Sequence, residues 1–207
     1  MQDGKSRLNA SCYSVAGSTV EDDLECQLER FFEQYPKKKT PDSKPPLDAN
    51  KSLYVLWVGT NDCGQADPSD LEDIVDSLFA NGLDELYVKA GARNFLLIDV
   101  PPNERSPAAT ILSTDISKQY LMWNELLNER ARLFAQESKN ASVFLFSANA
   151  VISAILDAPD EYGFEEEDIF EEGGPIWLDD MHLTSDVHAI IAEKLEKALH
   201  SVPCGSA

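Results

Sequence analysis

Basic residues are scarce in this 207-residue chain. Its 17 lysines and arginines stand against 37 aspartates and glutamates, which gives a formal net charge of −20 at pH 7. That excess of negative charge repels phosphate backbones and therefore argues against nucleic-acid binding. A chain of this length in which 43% of the residues are hydrophobic can bury a substantial core, so we expect a single folded domain.

The chain also lacks a long apolar run and a recognisable leader. No stretch reaches the roughly 18 apolar residues that a membrane-spanning helix needs, so no span is predicted. The first seven residues, Met-Gln-Asp-Gly-Lys-Ser-Arg, are polar, and we predict no signal peptide at this N-terminus. Localisation therefore stays open, and a longer parent protein with an upstream signal would be secreted.

Cysteine and histidine are few, with four and three residues. The cysteines, Cys12, Cys26, Cys63 and Cys204, have no C-x-x-C spacing and are widely separated. This pattern indicates neither a zinc site nor a disulfide framework.

Apolar runs of strand length alternate along the chain with stretches of helical periodicity. Three runs predict buried strands, at residues 53–58, 94–100 and 142–147. A fourth short strand is expected at residues 12–15, followed by a helix that opens with an S-x-x-E capping box at Ser18 and Glu21. The alternation predicts an α/β domain in which a parallel sheet lies between layers of helices.

Two segments interrupt this pattern inside the single predicted domain. Residues 36–46 hold four prolines and three consecutive lysines, which predicts a linker loop. Residues 157–174 hold nine acidic residues and no basic one, which favours a mobile, solvated loop. A calcium site in this acidic segment is an alternative, but its spacing matches no calcium-binding loop motif.

Two polar clusters lie where an active site would be expected. Gly59-Thr-Asn-Asp62 follows the predicted strand at 53–58, and Asp179-Asp-Met-His182 precedes the last predicted helix. Open α/β sheets bind their ligands outside the carboxyl ends of the strands. The two clusters therefore predict one site assembled from distant parts of the chain.

The second cluster has the composition of an acid–base pair. Asp179 lies three residues before His182 and can hold one imidazole nitrogen, which leaves the other nitrogen free to act as a general base. Asp180 is the neighbouring carboxylate that could be mistaken for the orienting one. A metal site formed by Asp179, Asp180 and His182 is an alternative, although no further His or Cys cluster supports it.

The first cluster offers a neutral hydrogen-bond donor. The side-chain amide of Asn61 could donate to an oxyanion that develops during acyl transfer. Gly17, at another predicted strand-to-helix junction, could offer its N–H to the same oxyanion. Asn and Gly are also common turn residues, so the tetrapeptide by itself is better explained as an ordinary turn.

Together these segments resemble a known family. Gly59-Thr-Asn-Asp62 resembles the third sequence block of the SGNH (GDSL-type) hydrolases, and residues 177–184, Trp-Leu-Asp-Asp-Met-His-Leu-Thr, resemble the fifth. Residues 13–20, Tyr-Ser-Val-Ala-Gly-Ser-Thr-Val, resemble the second block. Residues 93–102 and 105–107 are similar to the fungal branch, which includes acetylesterases acting on plant cell-wall sugars. The resemblance extends from about Asn9 to Val202.

The resemblance implies a flavodoxin-like three-layer sandwich and the hydrolysis of acyl or acetyl esters. It assigns His182 as the base, Asp179 as its orienting carboxylate, and Asn61 and Gly17 as oxyanion-hole donors. The implied partner is a small-molecule or carbohydrate ester. No metal and no organic cofactor is implied.

One block of the family has no counterpart here. A Gly-Asp-Ser segment should follow the first strand, upstream of Gly17, and none is present, so no nucleophile is identified. The nearby serines follow no strand in a nucleophile-like turn; they are Ser6, Ser11, Ser14 and Ser18.

We therefore expect an N-terminally incomplete domain that lacks the first, central strand and exposes apolar surface and unpaired strand edges. The alternative is a catalytically inactive relative that keeps the pocket as a binding module. The oligomeric state stays open.

Overall fold

The computed structural model of the chain describes residues 8–36, 43–110 and 116–201. Within them, three strands form one parallel sheet in the order β1 (Leu53–Trp57), β2 (Asn94–Ile98) and β3 (Ser142–Phe146). The strands run in step, because the first residue of each pairs with the first residue of its neighbour. Their carboxyl ends therefore lie level at one edge of the sheet, and the predicted α/β fold is confirmed.

Helices pack on both faces of this sheet. The α-helices are α1 (Val20–Gln34), α2 (Thr60–Gln65), α3 (Leu71–Ser77), α4 (Pro107–Thr110), α5 (Ser117–Glu137), α6 (Ala148–Asp157) and α7 (Ser185–Ser201). After α3 the helical chain continues as two π-helical segments, Leu78–Leu83 and Leu86–Ala90. No helix in the described ranges is both long and apolar enough to cross a membrane.

The middle strand, β2, joins two separate cores. Phe95 and Leu97 pack on one face with α1, α3 and α5, whereas Leu96 and Ile98 pack on the other with α6 and α7. Successive side chains of a strand point to opposite faces, so a continuous apolar run is what a strand covered on both sides requires. The arrangement is the three-layer sandwich that the sequence predicts.

The strand expected at residues 12–15 is not formed. These residues have no regular secondary structure, and Tyr13 instead lies edge-on to Phe31 of α1, with ring centroids 5.7 Å apart. The Tyr13 hydroxyl also donates to the side chain of Gln34. A strand exists only through hydrogen bonds to a neighbouring strand, and this segment lies along a helix.

The capping box expected at Ser18 and Glu21 is also wrong. Helix α1 begins one residue later than that motif implies, and Thr19 is its N-cap, accepting from the backbone N–H of Asp22 at 3.3 Å. The backbone N–H of Thr19 donates to the carboxylate of Asp23. The N-cap of α1 therefore lies one residue after the position that the sequence predicts.

The acidic segment at 157–174 has more structure than a solvated loop. It contains two short 3₁₀-helices, Pro159–Tyr162 and Glu166–Ile169, and it buries Phe164 between them. The indole N–H of Trp177 donates to the carbonyl oxygen of Ile169 at 2.8 Å. Apolar contacts thus hold the segment to the domain.

Most of the predicted linker lies outside the described residues, which resume at Ser43. The end of the linker folds back onto α1. There Lys44 donates to Gln34 through both its backbone and its ammonium group.

Within the described ranges, one face of β1 is uncovered. Leu53, Val55 and Trp57 are 46%, 54% and 39% exposed, whereas Tyr54 and Leu56 on the other face pack against the core. The core formed by α6 and α7 includes residues of β2 and β3 but none of β1. The outer edge of β1 also pairs with no strand among the described residues.

We expect this uncovered face to bind an apolar-surface dye and to drive association of the purified chain. Replacing Val55 by Lys should reduce both, since a charge on an exposed edge strand opposes edge-to-edge pairing. Dye fluorescence and light scattering measure the two effects.

Val88→Lys is the matched control, because Val88 is also exposed but lies on the second π-helical segment. Equal dye binding by the parent chain, Val55→Lys and Val88→Lys would show that the uncovered face of β1 is not the surface that binds the dye.

Candidate active site

The turn after β1 is shaped by a glycine. Gly59 has φ = +118°, and a Cβ atom there would lie 2.1 Å from Cε2 of the Trp123 indole. Trp123 comes from α5 and is fully buried. Only glycine allows β1 to turn into α2 directly over this ring.

The next two residues of that turn reach across the sequence to the start of α1. The Asn61 side-chain amide donates to the carbonyl oxygen of Ser18 at 3.0 Å. The carboxylate of Asp62 accepts from the backbone N–H of Val20 at 2.8 Å. We call these two contacts the α1 clamp. They bring the segment that contains Gly17 beside Asn61.

Gly17 lies in a tight turn of its own. It has φ = +77°, and the turn is closed by a hydrogen bond from the N–H of Ser18 to the carbonyl oxygen of Val15. A side-chain amide carries two N–H groups, and the clamp uses one of those on Asn61. The second can still donate to a ligand.

Asp62 is almost completely buried. Its side chain is 2% exposed, and Oδ2 has no hydrogen-bond partner within the described residues. Burial raises the pKa of this carboxyl, and the hydrogen bond from Val20 opposes that shift only in part. Asp62 faces the interior and not the solvent at the sheet edge.

The Asp179–His182 cluster lies at the tip of a small hairpin. The N–H of Leu178 donates to the carbonyl of His182 at 2.7 Å, and the N–H of Thr184 donates to the carbonyl of Ile176 at 3.0 Å. The hairpin leads into α7, whose first turn is capped by the Thr184 hydroxyl. Local hydrogen bonds thus determine the shape of the whole cluster.

Asp179 holds the imidazole of His182 through both carboxylate oxygens. The His182 Nδ1 atom lies 3.0 Å from Oδ1 and 2.9 Å from Oδ2. Oδ1 also accepts from the backbone N–H groups of His182 and Met181, at 2.7 and 2.9 Å. These two backbone bonds, and then the bond from the imidazole, lower the pKa of Asp179 to about 2.

The remaining ring nitrogen of His182 is available. No residue that the structure describes forms a hydrogen bond with Nε2, and the side chain is 72% exposed. Among the described residues no hydrogen bond joins the neighbouring Asp180 to the imidazole, and the backbone carbonyl oxygen of Asp180 accepts from the N–H of Ala108 at 2.8 Å. The geometry allows Nε2 to take a proton from a ligand at the surface.

Both clusters lie at the carboxyl edge of the sheet. Asn61 follows β1, and the loop after β2 contacts Asp180 through Ala108. The Trp57 ring, at the end of β1, lies 6.3 Å from the ring of His188 in α7. The structure brings Asp179 to His182 and the Gly17 segment to Asn61, but within the described ranges no hydrogen bond joins these two pairs.

The serines considered from the sequence show no nucleophilic arrangement. Ser6 lies outside the described residues, and Ser11 and Ser14 are exposed. The Ser18 hydroxyl is buried, with no hydrogen-bond partner in the described part of the chain. Ser147 directly follows β3, but its hydroxyl donates to Asp99 and accepts from the N–H of Ala150 as the N-cap of α6.

Sequence reasoning missed Asp62 and Trp123. Asp62 looks like a simple turn residue beside Asn61, and nothing local shows that its partner is 42 residues away. Trp123 shares the helical spacing of ordinary core residues.

In the described residues, no group of three or more His, Cys, Asp or Glu side chains is placed to hold a metal ion.

The sequence also matches a family model, that of the GDSL-like lipases/acylhydrolases, over residues 5–195. The chain belongs to this family. It is similar to an acetylesterase of Thermothelomyces thermophilus, with 27% identity over 165 residues, covering 74% of this chain and 54% of the relative. The chain thus spans about half the length of that relative.

Replacing Gly59 by Ala should destabilise this GDSL-like domain by about 2–6 kcal/mol. Backbone strain contributes about 1–3 kcal/mol, and forcing a methyl group against the buried indole contributes about as much again. Chemical denaturation of the variant measures the loss.

The control for this prediction is Gly64→Ala in α2. A Cβ at Gly64 meets no atom within 4 Å, and its φ is not positive. The expected change is a gain of roughly 0.5–1 kcal/mol, as for glycine in a helix. Equal effects at the two positions would show that the contact between Gly59 and Trp123 does not matter.

Titration of Asp179 should show which hydrogen bonds lower its pKa. The lowered pKa means that the carboxylate stabilises the fold above the unfolded pKa near 4, and that this contribution is lost as the pH falls through about 2.

In His182→Ala the pKa of Asp179 should stay clearly below its ordinary value, since both backbone N–H bonds remain. Carbon-13 NMR of the carboxyl group measures it, with His200→Ala as the control. A return to about 3.9 in His182→Ala would refute the dominance of the backbone bonds.

Proposed function

We propose that this chain carries the base and the oxyanion-binding groups of an SGNH-type ester hydrolase. The observation that supports it most directly is the Asp179–His182 pair, with Nδ1 held and Nε2 open to solvent. The family match is consistent with this chemistry.

His182 is proposed as the general base. When Nε2 removes a proton from the attacking water molecule, the imidazole becomes positively charged. The carboxylate of Asp179 stabilises that charge and keeps the Nδ1 proton in place, so that Nε2 is the nitrogen that reacts. The two backbone hydrogen bonds to Asp179 keep this carboxylate ionised and pointed at the ring.

Asn61 and Gly17 are proposed as oxyanion donors. The attack places negative charge on the carbonyl oxygen of the ester, and pre-positioned N–H groups stabilise it. The second N–H of the Asn61 amide and the backbone N–H of Gly17 are the donors we assign. The α1 clamp supports this pairing, because it keeps the two residues side by side.

The attacking group is not assigned to any residue of this chain. A triad enzyme that lacks its nucleophile keeps a modest activity, which comes from the remaining groups and from binding. Water activated by His182 is therefore the proposed nucleophile in the 207-residue chain.

The proposed substrates are esters of short acyl groups, above all acetyl esters of carbohydrates or similar alcohols. The similarity to a protein named as an acetylesterase supports a short acyl group. The open position of His182 supports an alcohol part that extends into solvent.

The purified chain should hydrolyse p-nitrophenyl acetate slowly, with no initial burst and no serine labelled by a fluorophosphonate. His182→Ala should lower this residual rate at least about tenfold, because general-base catalysis contributes on the order of 10²–10⁴. Release of nitrophenolate, followed by absorbance, measures the rate.

His200→Ala is the control, since His200 lies in the last turn of α7, and its Nδ1 lies within hydrogen-bond distance of the backbone carbonyl of Glu196. An unchanged rate in His182→Ala would eliminate His182 as the base. A burst with a labelled serine would show instead that the chain contains its own nucleophile.

A further inference from the structure

Asp62 is an unusual residue at the turn after β1. It is nearly fully buried, one of its carboxylate oxygens has no hydrogen-bond partner within the described residues, and it lies next to Asn61. Burying a carboxyl group costs free energy unless its oxygens are hydrogen-bonded. The hydrogen bond from the N–H of Val20 leaves that cost only partly compensated, so stability alone does not account for an acid here.

The contact that Asp62 does make is long-range and specific. Its Oδ1 accepts from the N–H of Val20, the first residue of α1, while Asn61 donates to the carbonyl of Ser18. These two contacts, the α1 clamp, hold the backbone on both sides of Thr19. The backbone just before α1 therefore cannot shift relative to the turn after β1 without breaking one of them.

The α1 clamp determines where the backbone N–H of Gly17 and the side-chain N–H of Asn61 lie relative to each other. Gly17 is directly bonded to Ser18, and the Asn61 amide is fixed by the carbonyl of that same residue. If Asp62 released Val20, Ser18 could move, and both Gly17 and Asn61 would move with it. Oxyanion donors must converge on one point within a few tenths of an ångström to be effective.

We propose that Asp62 is a positioning residue, which holds the start of α1 so that the N–H groups of Gly17 and Asn61 converge on one oxyanion. The inference rests on the proposed function for its catalytic consequence, whereas its geometric part can be tested without any activity. Asp62 itself lies inside the domain and touches no substrate.

The test compares Asp62→Ala with Asp62→Asn. The alanine removes the acceptor for the Val20 N–H, whereas asparagine keeps it through its own carbonyl oxygen. Asp67→Ala is the matched control, because Asp67 is an exposed acid just after α2, and its carboxylate accepts from the N–H and the hydroxyl of Ser69.

Amide NMR provides the first measurement. In Asp62→Ala, the Gly17 backbone signal and the Asn61 side-chain signals should shift, and hydrogen exchange at Ser18 and Val20 should accelerate at least about tenfold. The amides of β2 should keep their protection. Asp62→Asn and Asp67→Ala should resemble the parent chain.

Val20→Pro provides an independent variant, because it removes the same N–H from the other side. Proline is accepted at the first position of a helix, and Thr19 already has the extended conformation that a following proline requires. The Asn61 signals should shift as they do in Asp62→Ala. Combining the two substitutions should shift the Asn61 signals little further than either alone, since both remove the same hydrogen bond.

The second measurement is the residual hydrolysis of p-nitrophenyl acetate. Asp62→Ala should lower kcat about three- to tenfold and leave KM nearly unchanged, since oxyanion contacts act mainly in the transition state. Asparagine at this position should restore most of the rate, which a loss of folded protein alone would not explain.

Three results would overturn the inference. They are unshifted Gly17 and Asn61 signals in Asp62→Ala, equal acceleration of exchange in β2, and an Asp62→Asn variant as perturbed as the alanine. Failure of the proposed function is distinguishable from these, because it would appear as a rate that does not depend on His182 while the amide signals still report the α1 clamp.

Discussion

The close contact between Gly59 and the Trp123 indole is the constraint on which the rest of the candidate site depends. It places the backbone after β1 directly on a buried ring of α5, with no room for a Cβ atom. From that position α2 begins at once, and Asn61 and Asp62 occupy its first turn. A larger residue at 59 would lift this turn and carry both side chains away from the start of α1.

The two parts of the candidate site are built in different ways. The Asp179–His182 pair depends on hydrogen bonds within a few residues, inside a hairpin that also contains the buried Trp177. The α1 clamp joins residues more than 40 positions apart. The first part is therefore preserved wherever the hairpin forms, whereas the second requires the packed arrangement of β1, α1 and α5.

The uncovered face of β1 lies close to this site. Trp57, the last residue of β1, is partly exposed, donates to the carbonyl of Asp99 and contacts His188 of α7. Apolar side chains and a strand edge without a partner in the described residues thus adjoin the sheet edge where Asn61 lies. Such a surface favours association with other apolar groups, which links the behaviour of the chain in solution to the region proposed for ester binding.

The amino-acid sequence by itself determined the parallel α/β architecture and the Asp179–His182 pair. Strand and helix periodicities are local, and three residues suffice to bring that carboxylate to its imidazole. Other features depended on the tertiary structure. In the folded chain residues 12–15 lie along α1, Thr19 and not Ser18 caps α1, and Asp62 is buried against Val20. Each of these outcomes depends on a partner that is distant in the sequence, and local propensity carries no information about which distant groups packing will bring into contact.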